Sequence, residues 1–183
     1  MLLRDSNIGR LQREEFDVAI IGGGINGAGL ALDATRRGLR VGLFEQHDFG
    51  FGASTATSKL AHGGLRYLEQ RQFNLVKDSL SERNFLLKRA PHLVKPLQFY
   101  VPLYQTTKWK RWELKLGLTL YDWMQPHREM SGHRMLNSKE FEADVPWIKT
   151  EGLLGGGSYF DAQMEDHRLI CILIAIYLKK LIK

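Results

Sequence analysis

Residues 16–45 read FDVAIIGGGINGAGLALDATRRGLRVGLFE, and this stretch decides the fold. Phe16 to Ile21 is a short β-branched run ending at glycine, the composition of a buried parallel strand. Gly22 to Gly27 is a glycine turn. From Ile25 to Arg37 the small and apolar residues Ala28, Leu30, Ala31, Leu32 and Ala34 predict a helix, stopped by Gly38. Leu39 to Glu45 is a second apolar strand. Strand, helix and strand in about 30 residues make a βαβ unit. The spacing Gly22-x-Gly24-x-x-Gly27 gives each glycine a task. The first permits the tight turn, the second lets backbone approach a pyrophosphate, and the third lets the helix close on the strand. The helix N-terminus, with free N–H groups and the positive end of the dipole, favours that anion. Glu45 stands at the end of the second strand, where a carboxylate accepts the ribose hydroxyls of an adenosine.

This pattern predicts dinucleotide binding without separating FAD from NAD. The negative charge of Glu45 disfavours a 2′-phosphate, and so NADP. Further along, Gln46 to Ser58 reads as a loop and Asn74 to Arg89 as a helix that ends before Pro91. Pro96 to Leu103 reads as a strand, with Pro102 marking an edge or an end. Trp109 to Met124 and Ser138 to Asp144 read as helices, the second with Ser138 as N-cap and Phe141 turned inward. Gly155-Gly156-Gly157 leads into a strand at Ser158-Tyr159-Phe160, and Gln163 to Lys180 reads as helical.

Residues 54–70 read STATSKLAHGGLRYLEQ. Ser54, Thr55 and Ser58 offer hydroxyls beside the expected diphosphate. Lys59 adds a cation. His62-Gly63-Gly64 sets a titratable ring beside two residues whose bare backbone can approach a flat ring closely. Arg66 is a fork-shaped cation suited to a phosphate or an oxyanion, and Tyr67 adds a hydroxyl and an aromatic face. Together with GGGINGAGLALDATRRG and APHLVKPLQFYVPLY, this string resembles the flavin-dependent glycerol-3-phosphate dehydrogenases. The resemblance runs from about Phe16 to about Arg168.

The resemblance implies an α/β fold: an FAD-binding, Rossmann-like βαβ domain, incomplete, with part of an α+β substrate or cap domain. It divides the chain into a flexible segment 1–15, an FAD-binding and flavin-contact segment 16–95, a partial cap 96–160 and a helix 161–183. It implies FAD as cofactor, lined by Gly22, Gly24, Ile25, Asn26, Gly27, Glu45, Gln46, Ser54, Thr55, Ser58, Lys59, Leu60, His62, Gly63 and Gly64. Arg66 and Tyr67 would face the substrate, with His62 as candidate base. The implied reaction oxidises glycerol 3-phosphate to dihydroxyacetone phosphate and passes electrons to quinone. Oxygen as acceptor, or a fragment that binds nucleotide without catalysis, are the competing functions.

Composition narrows the rest. The net charge of +6 is spread along the chain rather than gathered in a stripe, which argues against nucleic acid and for an anionic ligand or acidic lipid. Cys171 is the single cysteine, so no internal disulfide and no cysteine-rich metal site is expected. The apolar run Leu169 to Leu178 is too short for a span of about 20 residues. A cytoplasmic location is expected. Lys108, Lys110, Arg111 and Lys115 accompany Trp109, Trp112, Leu116 and Trp123, the pattern of a helix on the face of an acidic membrane. The commoner reading of such a helix packs its aromatics inward. The family is much longer than this chain, and the residues after Arg168 depart from the polar helix it carries there. A truncated, inactive fragment, from a frameshift or premature stop near residue 175, is the expectation.

Overall fold

The computed structural model describes residues 9, 13–125 and 130–181. The expected flexible segment 1–15 lies largely outside the described residues, as do Ile182 and Lys183. Contacts group the chain into two compact units, Met1–Ser58 with Glu165–Lys183, and Lys59–Met164. This grouping differs from the segmentation at 95/96 and 160/161. Pairing of Leu60 with Gln163 closes residues 59–164 into one sheet, and the chain beyond packs with the glycine turn's helix.

In the first unit, β1 (Val18–Ile21) pairs in parallel with β2 (Val41–Phe44), from Val18 opposite Val41 to Ile21 opposite Phe44. Helix α1 (Ile25–Arg36) connects them. Asp17 fixes the pairing at its open end. Its carboxylate accepts the Arg40 N–H at 2.8 Å and the Arg40 guanidinium at 2.8 Å, and these bonds hold its pKa down at about 2. The apolar tail of the sequence is a helix, named α5 below (Asp166–Leu181). Its Ile170, Ile174 and Tyr177, spaced i, i+4 and i+7, form the inner stripe. Ile170 and Ile174 pack with Ala28 of α1, and Tyr177 with Ala31 and Val41. The Tyr177 hydroxyl donates to the Val41 carbonyl at 2.7 Å, which satisfies its buried oxygen. Asp161, expected at the start of this helix, and Gln163 belong to a strand of the other unit instead.

The second unit begins with β3 (Leu60–Ala61), a 3₁₀ turn at Leu65–Leu68 and helix α2 (Phe73–Arg89). Then come β4 (Val94–Tyr104), α3 (Arg111–Trp123), β5 (Arg134–Leu136), α4 (Ser138–Asp144) and β6 (Leu153–Met164), followed by α5 in the first unit. β6 is the spine of an antiparallel sheet. β4 follows one edge of it, from Val94 opposite Met164 to Leu103 opposite Gly155, and β3 and β5 share the other. Pro96 and Pro102 therefore sit on an edge strand, where a missing N–H costs least.

Two details depart from the sequence reading. The N-cap of α4 is Asn137, not Ser138: the Asn137 Oδ1 accepts the Glu140 N–H at 3.0 Å, and Glu140 accepts the Asn137 N–H at 2.7 Å, a capping box. The tryptophans of α3 do not pack inward. Leu114, Leu118 and Tyr121 form its buried stripe, while Trp112 and Leu116 are each 62% exposed and Trp123 is 81% exposed. A basic residue beside Trp109 and Trp112 was legible, but which stripe faced the sheet depended on partners elsewhere in the chain.

The glycine run 155–157 lies inside β6 rather than ahead of it. A Cβ on Gly156 would strike the Val101 carbonyl and the Phe141 ring, and one on Gly157 would press on Leu118. Bare backbone here lets α3 and α4 close on opposite faces of the strand. Gly156→Ala is expected to destabilise the chain by roughly 1–3 kcal/mol, the usual cost of overpacking. Gly117→Ala, in open space within α3, is expected to stabilise by about 0.5–1 kcal/mol. Urea denaturation followed by circular dichroism compares the two; equal shifts would contradict this packing.

Candidate functional site

The first unit builds a cradle at the start of α1. Gly22 takes φ of +106°, a conformation side chains avoid, with open space where a Cβ would stand. A Cβ on Gly27 would fall onto the Gly22 carbonyl oxygen, so the helix can close on β1 only with glycine there. Gly24 is the N-cap and brings no side chain of its own to cap the helix. Ser54, from the loop after β2, comes to the same place. Its Oγ accepts the Ile25 N–H at 3.1 Å, and a Cβ on Gly24 would come within 2.8 Å of it. Glu45 also turns to this cradle. Its Oε1 accepts the His47 N–H at 2.9 Å and its Oε2 the Gly23 N–H at 2.7 Å, and these bonds lower its pKa.

Gly22, Gly24, Ile25, Asn26, Gly27, Glu45 and Ser54 are thus gathered around one helix terminus. Gln46 is exposed beside Glu45, and Ser58 is exposed at the end of the loop. Thr55 points back into its own turn, donating to the Gly52 carbonyl at 3.1 Å. The cradle fits a diphosphate on three counts: a tight glycine turn, a helix N-terminus whose N-cap brings no side chain, and the Ser54 hydroxyl beside it.

The second unit gathers the other residues. Lys59 takes φ of +55°, and its carbonyl accepts the Met164 N–H at 2.8 Å, which leads Leu60 into the sheet. Gly64 takes φ of +72° and caps the 3₁₀ turn that carries Arg66 and Tyr67. Leu60, His62, Gly64, Arg66 and Tyr67 then line one cavity of about 200 Å³, together with Phe99, Tyr159 and Asp161. His62 and Arg66 are exposed at its rim, whereas Gly63 is buried beneath it.

The sequence reading assigned no role to Tyr159 or Asp161. Both project from the same face of β6, two residues apart. Phe99 is opposite Tyr159 across the strands and stacks on it, with ring centroids 5.4 Å apart. Burial, with the charge of Asp161 beside it, pushes the Tyr159 hydroxyl up to about 12. Asp161 is 2% exposed and pairs with Arg83 of α2 at 3.0 Å. The alternation in Gly157, Tyr159, Asp161 is the signal that would have placed them on one face.

Comparison with known proteins follows the same lines. The chain is 45% identical over 159 residues to a glycerol-3-phosphate dehydrogenase of Synechocystis sp., covering 87% of this chain and 29% of that protein. It is 42% identical, over 87% of its length, to an aerobic glycerol-3-phosphate dehydrogenase of Staphylococcus haemolyticus, of which it covers 28%. The chain therefore spans less than a third of the length of these curated relatives. The X-ray structure of the glycerol-3-phosphate dehydrogenase from Bacillus halodurans complexed with FAD superposes with a TM-score of 0.70 at 29% identity. That match covers 97% of this chain and 27% of the other. An L-α-glycerophosphate oxidase from Mycoplasma pneumoniae with FAD bound shares the fold, with a TM-score of 0.69 at 18% identity over 91% of this chain and 43% of its own. Residues 17–181 match the sequence model of the family described as FAD dependent oxidoreductase, and the chain belongs to that family.

Proposed function

We propose that this segment holds FAD and serves the oxidation of glycerol 3-phosphate to dihydroxyacetone phosphate, with electrons passed on to quinone. One observation carries the reading: His62, Arg66 and Tyr67 converge on a single cavity in a chain that also builds a diphosphate cradle. The 45% identity to a glycerol-3-phosphate dehydrogenase supports the substrate. In the first unit, the backbone of Gly22, Gly24, Ile25, Asn26 and Gly27 and the hydroxyl of Ser54 receive the diphosphate. Thr55 and Ser58 stand on the same loop, and Gln46 follows Glu45. Glu45 retains lone pairs beyond its two backbone bonds, enough to accept a ribose hydroxyl. In the second unit, Lys59, Leu60, His62, Gly63 and Gly64 present their stretch to the ring system.

FAD, when bound, would supply the hydride acceptor for C2 of the alcohol. The protein must hold that carbon within about 3–3.5 Å of the acceptor atom and remove the hydroxyl proton. His62 receives this proton. Arg66 gives its fork to the substrate phosphate or to the C2 oxygen. Tyr159 remains a donor at neutral pH, because its hydroxyl titrates near 12. One arginine does not neutralise a phosphate dianion, so binding the substrate takes further cations.

The exposed side of α3 fits peripheral contact with the cytoplasmic face of a membrane. Trp109, Trp112 and Leu116 line an apolar groove of about 570 Å³ with Leu68 and Phe73, whose charged lining residues are Glu69, Arg71 and Glu113, and Lys108, Lys110, Arg111 and Lys115 are close to its tryptophans in sequence. No helix among the described residues is long and apolar enough to cross a membrane, so the contact is interfacial.

Three outcomes test these readings. The purified chain takes up FAD with a perturbed flavin absorption band, and Gly27→Ala weakens that affinity at least about tenfold, or ~1.4 kcal/mol; equal affinity refutes the cradle. In a version extended to the length of the relatives, glycerol 3-phosphate reduces a dye. There Arg66→Gln lowers kcat/KM by roughly 10- to 100-fold, the loss of one charge-assisted hydrogen bond. A rate unaffected by this substitution removes Arg66 from the substrate. Liposomes rich in anionic lipid carry the chain into the pellet at low salt, and Trp112→Ala with Leu116→Ala leaves it in the supernatant. Absence of the unaltered chain from the pellet at every salt concentration rules out the membrane contact.

A further inference from the structure

Asp161 is the hub of a buried polar cluster that the sequence did not announce. Its Oδ1 accepts the Arg83 Nη1–H at 3.0 Å and the Gly63 N–H at 3.1 Å. Its Oδ2 accepts the Tyr121 hydroxyl at 2.9 Å and, more loosely, the same Gly63 N–H at 3.3 Å. Arg83 places two further guanidinium hydrogens on Asn84 Oδ1, from Nε at 3.2 Å and Nη2 at 3.0 Å. Neither charged side chain reaches solvent, at 0% and 2% exposure.

Well-packed apolar residues commonly replace such a buried pair without loss of stability. They cannot, however, hold a backbone N–H. A side chain at Gly63 has no room, because a Cβ there would strike Leu80 and the Tyr121 hydroxyl. Its N–H is held by Asp161, while both its sequence neighbours, His62 and Gly64, line the cavity that Asp161 also borders.

We infer that Asp161 is a positioning residue: through the Gly63 N–H it fixes the backbone that presents His62 and Gly64 to the flavin ring. Arg83 balances its charge, and Tyr121 orients the second oxygen. The role rests on the proposed assignment of the His62–Tyr67 stretch to the isoalloxazine. It requires no contact between Asp161 and substrate.

The test compares Asp161→Asn and Tyr121→Phe with the unaltered chain, by hydrogen exchange at the Gly63 amide and by the visible absorption band of bound FAD. Loss of a charge-assisted bond predicts that the Gly63 amide of Asp161→Asn exchanges about tenfold faster or more. The flavin band moves as well, whereas FAD affinity, set by the glycine cradle, changes less. Unchanged exchange, or an unchanged band, in a folded Asp161→Asn overturns the role. If that variant does not fold, Tyr121→Phe decides on the same two readouts: smaller changes of both support the role, and no change in either overturns it. An unaltered chain that binds FAD with its band unperturbed removes the flavin assignment itself, and with it this role, even with the Gly63 amide protected.

Discussion

A carboxylate withdrawn from water must be supplied with donors, and at Asp161 three separate elements supply them. The loop after β3 gives the Gly63 N–H, α2 gives Arg83 and α3 gives Tyr121. The second unit depends on this convergence, because it joins β6 to the loop that borders the cavity and to two helices. Leaving one partner of such a pair alone in the interior costs about 3–5 kcal/mol. The desolvation of Tyr121, reinforced by Asp161, drives its phenol far above the usual range and keeps it a donor. The network is directional where the surrounding Val76, Leu80 and Leu118 are only tightly packed.

The same economy of space recurs wherever glycine appears at a close approach. In the first unit, Gly27 allows α1 to close on the carbonyl of Gly22. In the second, Gly63 allows the loop to lie on Leu80, and Gly156 allows α4 to reach β6. Each glycine exchanges conformational restraint for proximity. The pattern separates the two units chemically. The first uses bare backbone to expose N–H groups to an anion, and the second uses it to draw helices and a loop onto a sheet.

How much of this was legible in the sequence follows from how local each signal is. The βαβ unit was legible from residues 16–45, because strand, turn and helix are encoded by neighbours. The convergence of Leu60, His62, Gly64, Arg66 and Tyr67 rested on a family resemblance within one continuous string. Asp161 was misplaced at a helix start, because its meaning lies in Arg83, 78 residues away. The glycine run was read as a lead-in, since nothing nearby shows that Phe141 and Leu118 press on it. The outward tryptophans of α3 have the same cause. An amphipathic helix with apolar residues on two stripes is ambiguous until its partners are known, and here Leu114, Leu118 and Tyr121 took the inner one.

Glu45 shows how two sequence signals can be one physical device. The fingerprint treats the glycines and the distant acid as separate readers of diphosphate and ribose. Here the acid also accepts the Gly23 N–H at 2.7 Å, so it helps to hold the turn in the shape the diphosphate needs. That arrangement sets a negative charge close to where another is to bind. The helix N-terminus of α1 offsets it with its dipole and N–H groups. The bonds from the His47 and Gly23 N–H groups spread the charge of Glu45 over the backbone and keep it ionised. A turn shaped before its ligand arrives loses less conformational freedom on binding than one that must form around it. In the proposed FAD site the acid is therefore part of the cradle first and a contact for the nucleotide second, which fits its place at the end of β2, level with the turn that leaves β1.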